Sequence, residues 1–214
     1  MNLRINEIFY SIQGESSFAG RPCIFIRLTG CPLRCSYCDT GYAFHQGQDM
    51  SIDAILEKVQ SYTCNLVEVT GGEPLAQENS IKLMQALIDH GYEVMLETSG
   101  ALSVKQVPQQ VKIIMDIKTP SSNEMDKNIY DNFNHLKQNI DEIKYVIKNK
   151  EDFDFCTKVS DEFELWDKFT VLASPNFKHL DNLKLAQWVL ASKKPYRMQL
   201  QMHKYIWDPE EKGV

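Results

Sequence analysis

The sequence predicts an α/β protein whose parallel sheet is wrapped by helices and rolls into an incomplete, partial TIM-like β/α barrel. Three observations carry that expectation. Runs rich in branched and aromatic residues recur at strand length, and amphipathic helical patterns separate several of them. The 214 residues also fall short of the roughly 250 that a complete eight-fold barrel uses. The same length is short for two independent cores, so residues 1–214 are expected to form a single domain.

In chain order, residues 6–16 read by themselves as a short polar turn, and the first strong strand covers residues 23–28. Ser51 is a candidate N-cap for a helix that places Ile52, Ile55, Leu56 and Val59 on one face. Residues 66–70 form the next strand. A second helix carries Ile81, Met84, Leu87 and Ile88 and stops at Gly91, a candidate C-cap. Strands follow at residues 93–97, 112–117, 142–147, 169–173 and 197–202, with the polar stretch 119–128 as a loop. In this architecture chemistry gathers at the C-terminal ends of the strands.

Net charge is -6, without a block of like charges, which argues against a nucleic-acid footprint and favours small-molecule partners. No apolar run is long enough for a signal peptide or a bilayer span, so the expectation is a cytoplasmic protein without a membrane. Six cysteines are too few for a disulfide scaffold, and Cys31, Cys35 and Cys38 crowd one loop after the first strong strand. Their spacing is C-x3-C-x2-C. Soft thiolates suit zinc or an iron-sulfur cluster. Structural zinc usually takes four ligands in two pairs, and a zinc-binding interaction module would have to recruit His45 or Asp39. Three thiolates on a four-iron cluster instead leave one iron open for the amino and carboxylate groups of S-adenosylmethionine. Cys23, Cys64 and Cys156 lack metal spacing and read as small, buried or semi-buried residues.

The cysteine loop, with Tyr37 before its last cysteine, and the Thr70-Gly71-Gly72-Glu73-Pro74 turn after the second strand resemble the radical S-adenosylmethionine (SAM) superfamily. That resemblance implies a 4Fe-4S cluster on Cys31, Cys35 and Cys38. It implies SAM contacts from Tyr37, Cys38, Asp39, Gly72, Glu73, Ser99, Asp116, Ile117 and Lys118, and a 5′-deoxyadenosyl radical that abstracts hydrogen from substrate. Ile12-Gln13-Gly14-Glu15, Asp39-Thr40, Ser121-Ser122, the segment 201–207 and Lys212-Gly213-Val214 are similar to the 7-carboxy-7-deazaguanine synthases of that superfamily. The sequence departs from their usual pattern at Ser16, where Gly is frequent, and at Asp116-Ile117, where Ser-Pro is frequent.

This second resemblance implies ring contraction of 6-carboxy-5,6,7,8-tetrahydropterin with loss of ammonia. Its substrate contacts would be Ile12, Gln13, Gly14, Glu15, Arg27, Thr70 and Val214, with Mg²⁺ on Thr40. An electron donor such as flavodoxin or ferredoxin and a homodimer are also implied. Arg27 has the planar fork needed to grip a carboxylate, although a strand arginine can equally be a half-exposed ion-pair partner. A glycyl-radical-enzyme activase shares the cysteine loop but gives no reason for Gln13-Gly14-Glu15 or Asp39-Thr40.

Overall fold

The computed structural model describes residues 2–214 and contains a nine-stranded sheet in the order β3-β1-β2-β4-β5-β6-β7-β8-β9. The strands are β1 (Asn2–Ile12), β2 (Pro22–Leu28), β3 (Gln48–Ser51), β4 (Leu66–Gly71), β5 (Glu93–Thr98), β6 (Lys112–Asp116), β7 (Glu142–Ile147), β8 (Thr170–Pro175) and β9 (Tyr196–Met198). From β2 through β4 to β9 every neighbouring pair is parallel, while β1 runs antiparallel to β2 and β3. β3 and β9 are unpaired edges, so the sheet rolls without closing, as expected of a partial barrel.

Two sequence expectations are corrected. Residues 6–12 are no polar turn: they complete β1, whose pattern is obscured by a register shift between Ile5 and Glu7. The last strand ends at Met198 rather than residue 202, because Gln199 turns inward to bond Ser174 and the chain enters the short helix α5 (His203–Ile206).

The helices α1 (Ile52–Gln60), α2 (Asn79–Asp89), α3 (Lys150–Glu162) and α4 (Asn182–Ser192) lie between strands. Ser51, Asn149 and Asp181 cap α1, α3 and α4 by accepting from the backbone N–H groups of Ala54, Asp152 and Lys184. Gly91 follows α2 with φ +85°, a conformation that glycine adopts without penalty.

Strand alternation divides the side chains between two faces. Ile24, Ile26, Val67, Val69, Leu96, Ile113 and Ile143 join helix residues Ile55, Leu83, Leu87 and Phe153 in the large outer core. The opposite face starts with a smaller apolar layer of Cys23, Phe25, Leu66, Met95, Ile114 and Leu172, joined by Phe9 and Phe18. Two residues further along β2, β4, β5, β6 and β7, the same face carries Arg27, Glu68, Glu97, Asp116 and Lys144. That switch from apolar to charged residues makes the floor of the site.

Candidate functional site

The β1–β2 loop fills the interior beneath the pocket. Its backbone closes through Gln13 N–H to Arg21 O (2.8 Å) and Gly20 N–H to Gln13 O (2.8 Å). Ser16 N–H donates to Gln199 Oε1 (2.7 Å), and Ser17 N–H to the buried Glu142 carboxylate (3.1 Å). These bonds leave Gln13, Gly14 and Glu15 on the wall of a cavity of about 530 Å³ at the C-terminal ends of the strands.

The cysteine loop leaves β2 on the same rim, and Cys31, Cys35 and Cys38 are free thiols that line this cavity. The loop is built rather than slack. Cys38 N–H donates to Cys35 O (3.2 Å), Ser36 N–H to Ser122 O (2.9 Å), Ser36 Oγ to Ser121 O (2.5 Å) and Arg34 N–H to Glu124 Oε1 (2.5 Å). Ser121 and Ser122 thus buttress the cysteines. Burial raises all three thiols, Cys35 to about 11, while Lys118 pulls Cys35 the other way. Binding to a soft metal centre favours the thiolate form against that burial. Among the described residues no three His, Cys, Asp or Glu side chains converge on a single ion. Three thiol donors on one open cavity fit a multi-iron cluster.

The glycine turn packs directly against that loop. Gly72 N–H donates to Leu28 O (3.1 Å), Glu73 N–H to Gly30 O (2.8 Å), and a Cβ on Gly72 would lie 2.2 Å from Gly30 O. Glu73 is fully buried and accepts from Thr98 Oγ1 (2.9 Å), Ser99 N–H (2.7 Å), Ser99 Oγ (2.5 Å) and Leu75 N–H (3.0 Å). Glu73 and Ile117 are the two expected SAM contacts whose side chains do not line the cavity. Glu73 stands one layer behind, holding Ser99, and Ile117 lies in the outer core because β6 alternation points it away from Asp116. Tyr37, Asp39, Gly72, Ser99, Asp116 and Lys118 all line the cavity with Cys38. Tyr37 shares a hydrogen bond with Thr119 Oγ1 (2.9 Å), and Lys118 pairs with Asp116 (3.1 Å).

On the other side lie Ile12, Gln13, Gly14, Glu15, Arg27, Thr70 and Val214, with Thr40 on the rim. Arg27 is an internal residue: Nε donates to Glu7 Oε1 (2.7 Å), which also accepts from Tyr42 OH (2.8 Å). Among the described residues this is the guanidinium's one hydrogen bond; the group also lies near the rings of Phe9 (5.8 Å) and Tyr42 (5.9 Å), and its two terminal nitrogens have no hydrogen-bond partner. Thr40 Oγ1 donates to Asp39 Oδ1 (3.0 Å), and Lys204 Nζ meets Asp39 Oδ2 (2.6 Å). Burial would raise the Asp39 carboxyl, but Lys204 holds it below the usual carboxylate range.

Sequence reading gave no site role to the charged floor, and singled out the segment 201–207 without assigning its residues to the cavity wall. Glu68, Lys144, Gln201, His203 and Lys204 line the cavity, as does Glu97. Lys144 Nζ is clamped by Glu15 Oε2 (2.6 Å) and Glu97 Oε1 (2.5 Å), while Gln13 Nε2 bonds Glu68 Oε2. The available signal was a charge at the inward position of an otherwise apolar strand: Glu68 in LVEVT and Lys144 in EIKYVI.

Residues 25–159 match the model of the Radical SAM superfamily. The 7-carboxy-7-deazaguanine synthase of Chlorobaculum tepidum is 45% identical over 99% of this chain and 97% of its own. That of Koribacter versatilis is 42% identical over 99% and 100%. Among solved structures, QueE from Escherichia coli superposes with TM-score 0.80 at 24% identity, covering 95% of both chains. Streptococcus suis SuiB bound to S-adenosylmethionine gives 0.56 at 13% identity, over 80% of this chain and 48% of that one. The two structures share the fold.

Proposed function

Because the chain belongs to the radical SAM superfamily and, within it, to the 7-carboxy-7-deazaguanine synthases, we propose a residue-by-residue division of its pocket between cofactor and pterin substrate. Its activity is that of a radical SAM lyase in deazapurine biosynthesis, with 6-carboxy-5,6,7,8-tetrahydropterin as the substrate that is ring-contracted with loss of ammonia.

The supporting observation is that one cavity is lined both by the three thiols and by Gln13, Glu15, Arg27 and Val214. Cys31, Cys35 and Cys38 would hold the 4Fe-4S cluster. Tyr37, Cys38, Asp39, Gly72, Ser99, Asp116 and Lys118 would hold S-adenosylmethionine, with Glu73 orienting Ser99 and Ile117 anchoring the Asp116–Lys118 turn in the core. Together these groups supply hydrogen-atom abstraction. Gly72 matters because a bare backbone admits close approach at a place where even a methyl group does not fit.

The remaining residues orient the pterin. Arg27 offers its free fork to the substrate carboxylate. Ile12, Gln13, Gly14, Glu15 and Thr70 meet the ring, and Val214 closes the pocket. Thr40 contributes one oxygen to Mg²⁺, which characteristically takes further oxygens from substrate and water. No side chain is asked to act as a nucleophile; the protein positions the ring and excludes water.

A flavodoxin or ferredoxin as electron donor and a homodimer in the cytoplasm complete the proposal, with no part for nucleic acid or membrane. No helix among the described residues is long and apolar enough to cross a bilayer. The deciding experiment is an anaerobic assay of reconstituted protein with carboxytetrahydropterin, SAM and Mg²⁺. Formation of 7-carboxy-7-deazaguanine with stoichiometric iron and sulfide is expected. Zinc in place of iron, or S-adenosylmethionine cleavage without any pterin turnover, would refute the division.

A further inference from the structure

Lys144 is a buried cation at the bottom of the cavity, its side chain 5% exposed. It projects from β7 in the same inward row as Asp116 on β6. Glu97 projects from β5, two strands away, a gap of about 9.5 Å across a sheet. The long lysine stem reaches Glu97 across the intervening strand β6. Glu15 arrives from the β1–β2 loop and takes a second ammonium proton. One cation therefore ties together three chain segments that are distant in sequence.

The two carboxylates it holds are not used up by the protein. Glu15 Oε1 accepts from Gln201 (3.0 Å) and its Oε2, besides Lys144, has a long contact from Gln199 Nε2 (3.4 Å), while Glu97 Oε2 has only a long contact to Thr70 Oγ1 (3.4 Å). Both side chains keep part of their surface open to the cavity, 14% for Glu15 and 27% for Glu97. Each carboxylate has about four lone-pair sites, so acceptor capacity remains on the cavity side. A flat ring with adjacent N–H groups, such as an amino-pyrimidinone edge, matches that paired acceptor surface. Without the ammonium, two carboxylates beside the buried Glu68 would repel one another and rotate apart.

We propose that Lys144 is a positioning residue for the substrate: clamped between Glu15 and Glu97, it fixes both carboxylates at the spacing that receives the donor edge of the pterin ring. The inference rests on the pterin reading above and assigns Lys144 no contact with the cluster or S-adenosylmethionine.

The test compares wild-type holoenzyme with Lys144→Met, which keeps most of the stem and removes the charge. Iron and sulfide content and S-adenosylmethionine affinity should match wild type. The Kd for 6-carboxypterin, an unreactive aromatic analogue, measured calorimetrically, and the KM for carboxytetrahydropterin should both rise about tenfold or more, with a smaller fall in kcat. Unchanged Kd and KM would overturn the proposal, and so would parallel loss of iron and SAM binding, the signature of a merely structural lysine. If Lys144→Met does not fold, Lys144→Gln, which keeps an N–H donor for the carboxylates without the charge, should fold and show a weakened Kd; wild-type affinity there overturns the idea. Failure of the wild-type protein to bind 6-carboxypterin would sink the substrate reading and this inference with it, whereas equal binding by wild type and variant sinks the inference alone.

Discussion

Arg27 and Thr40 sit within one cavity yet are expected to fail differently. Arg27→Lys removes a planar fork while keeping charge, so it should raise KM for the carboxylated substrate by roughly tenfold, a loss of about 1.4 kcal/mol. Thr40→Ala should lower turnover and flatten its dependence on Mg²⁺, and an unaltered magnesium titration would exclude Thr40 as a ligand. Glu68 offers a test in pH. Burial, reinforced by the nearby Glu97, raises its carboxyl well above the ordinary 4.5, against the opposing hydrogen bond from Gln13. The folded chain therefore holds this proton where the unfolded chain has released it. Its stabilising contribution is full below about pH 4.5 and is lost as pH rises through the folded value. Glu68→Gln should gain stability relative to wild type as pH rises above about 4.5 in urea unfolding, and parallel pH profiles would show that Glu68 is charged throughout.

At the scale of elements, the two loops after β2 and β4 behave as one unit. Gly72→Ala would drive a methyl group against Gly30 O, at 2.2 Å, and against Cys31 Cβ, at 2.9 Å. Backbone has to yield there, so the variant should lose about 1–3 kcal/mol in denaturant unfolding and bind cluster and S-adenosylmethionine poorly. Wild-type stability with a fully loaded cluster would show that the loops separate freely. Strands were legible because β2, β4, β5 and β7 are largely buried on both faces and read as short runs rich in branched and apolar residues, with few charges among them. β1 was not, because its bulge and its polar residues Asn6 and Glu7 interrupt the alternation. The cysteine and glycine turns were legible as local spacing. Lys144 and Glu68 were not, since each is a single charge whose partners come from other strands.

For the whole molecule, the open sheet edge and helix α4 bear on the proposed assembly. α4 buries Leu185 but leaves Leu183 and Leu190 largely exposed, beside the unpaired edge of β9. If the proposed homodimer forms through that face, Leu190→Glu should leave a monomer in sedimentation at micromolar concentration where wild type is dimeric. A variant that sediments as wild type would move the interface elsewhere.

The hydrogen bond between Ser16 and Gln199 spans 183 positions of the chain. A ribosome adding about 5–20 residues per second needs on the order of 10–40 s to travel that distance. The β1–β2 loop therefore waits at least that long for this partner. The supports of the cysteine loop, Ser121, Ser122 and Glu124, emerge well before Gln199, Gln201 and Lys204. During synthesis the shell around the thiols can thus assemble while the opposite wall is still untranslated.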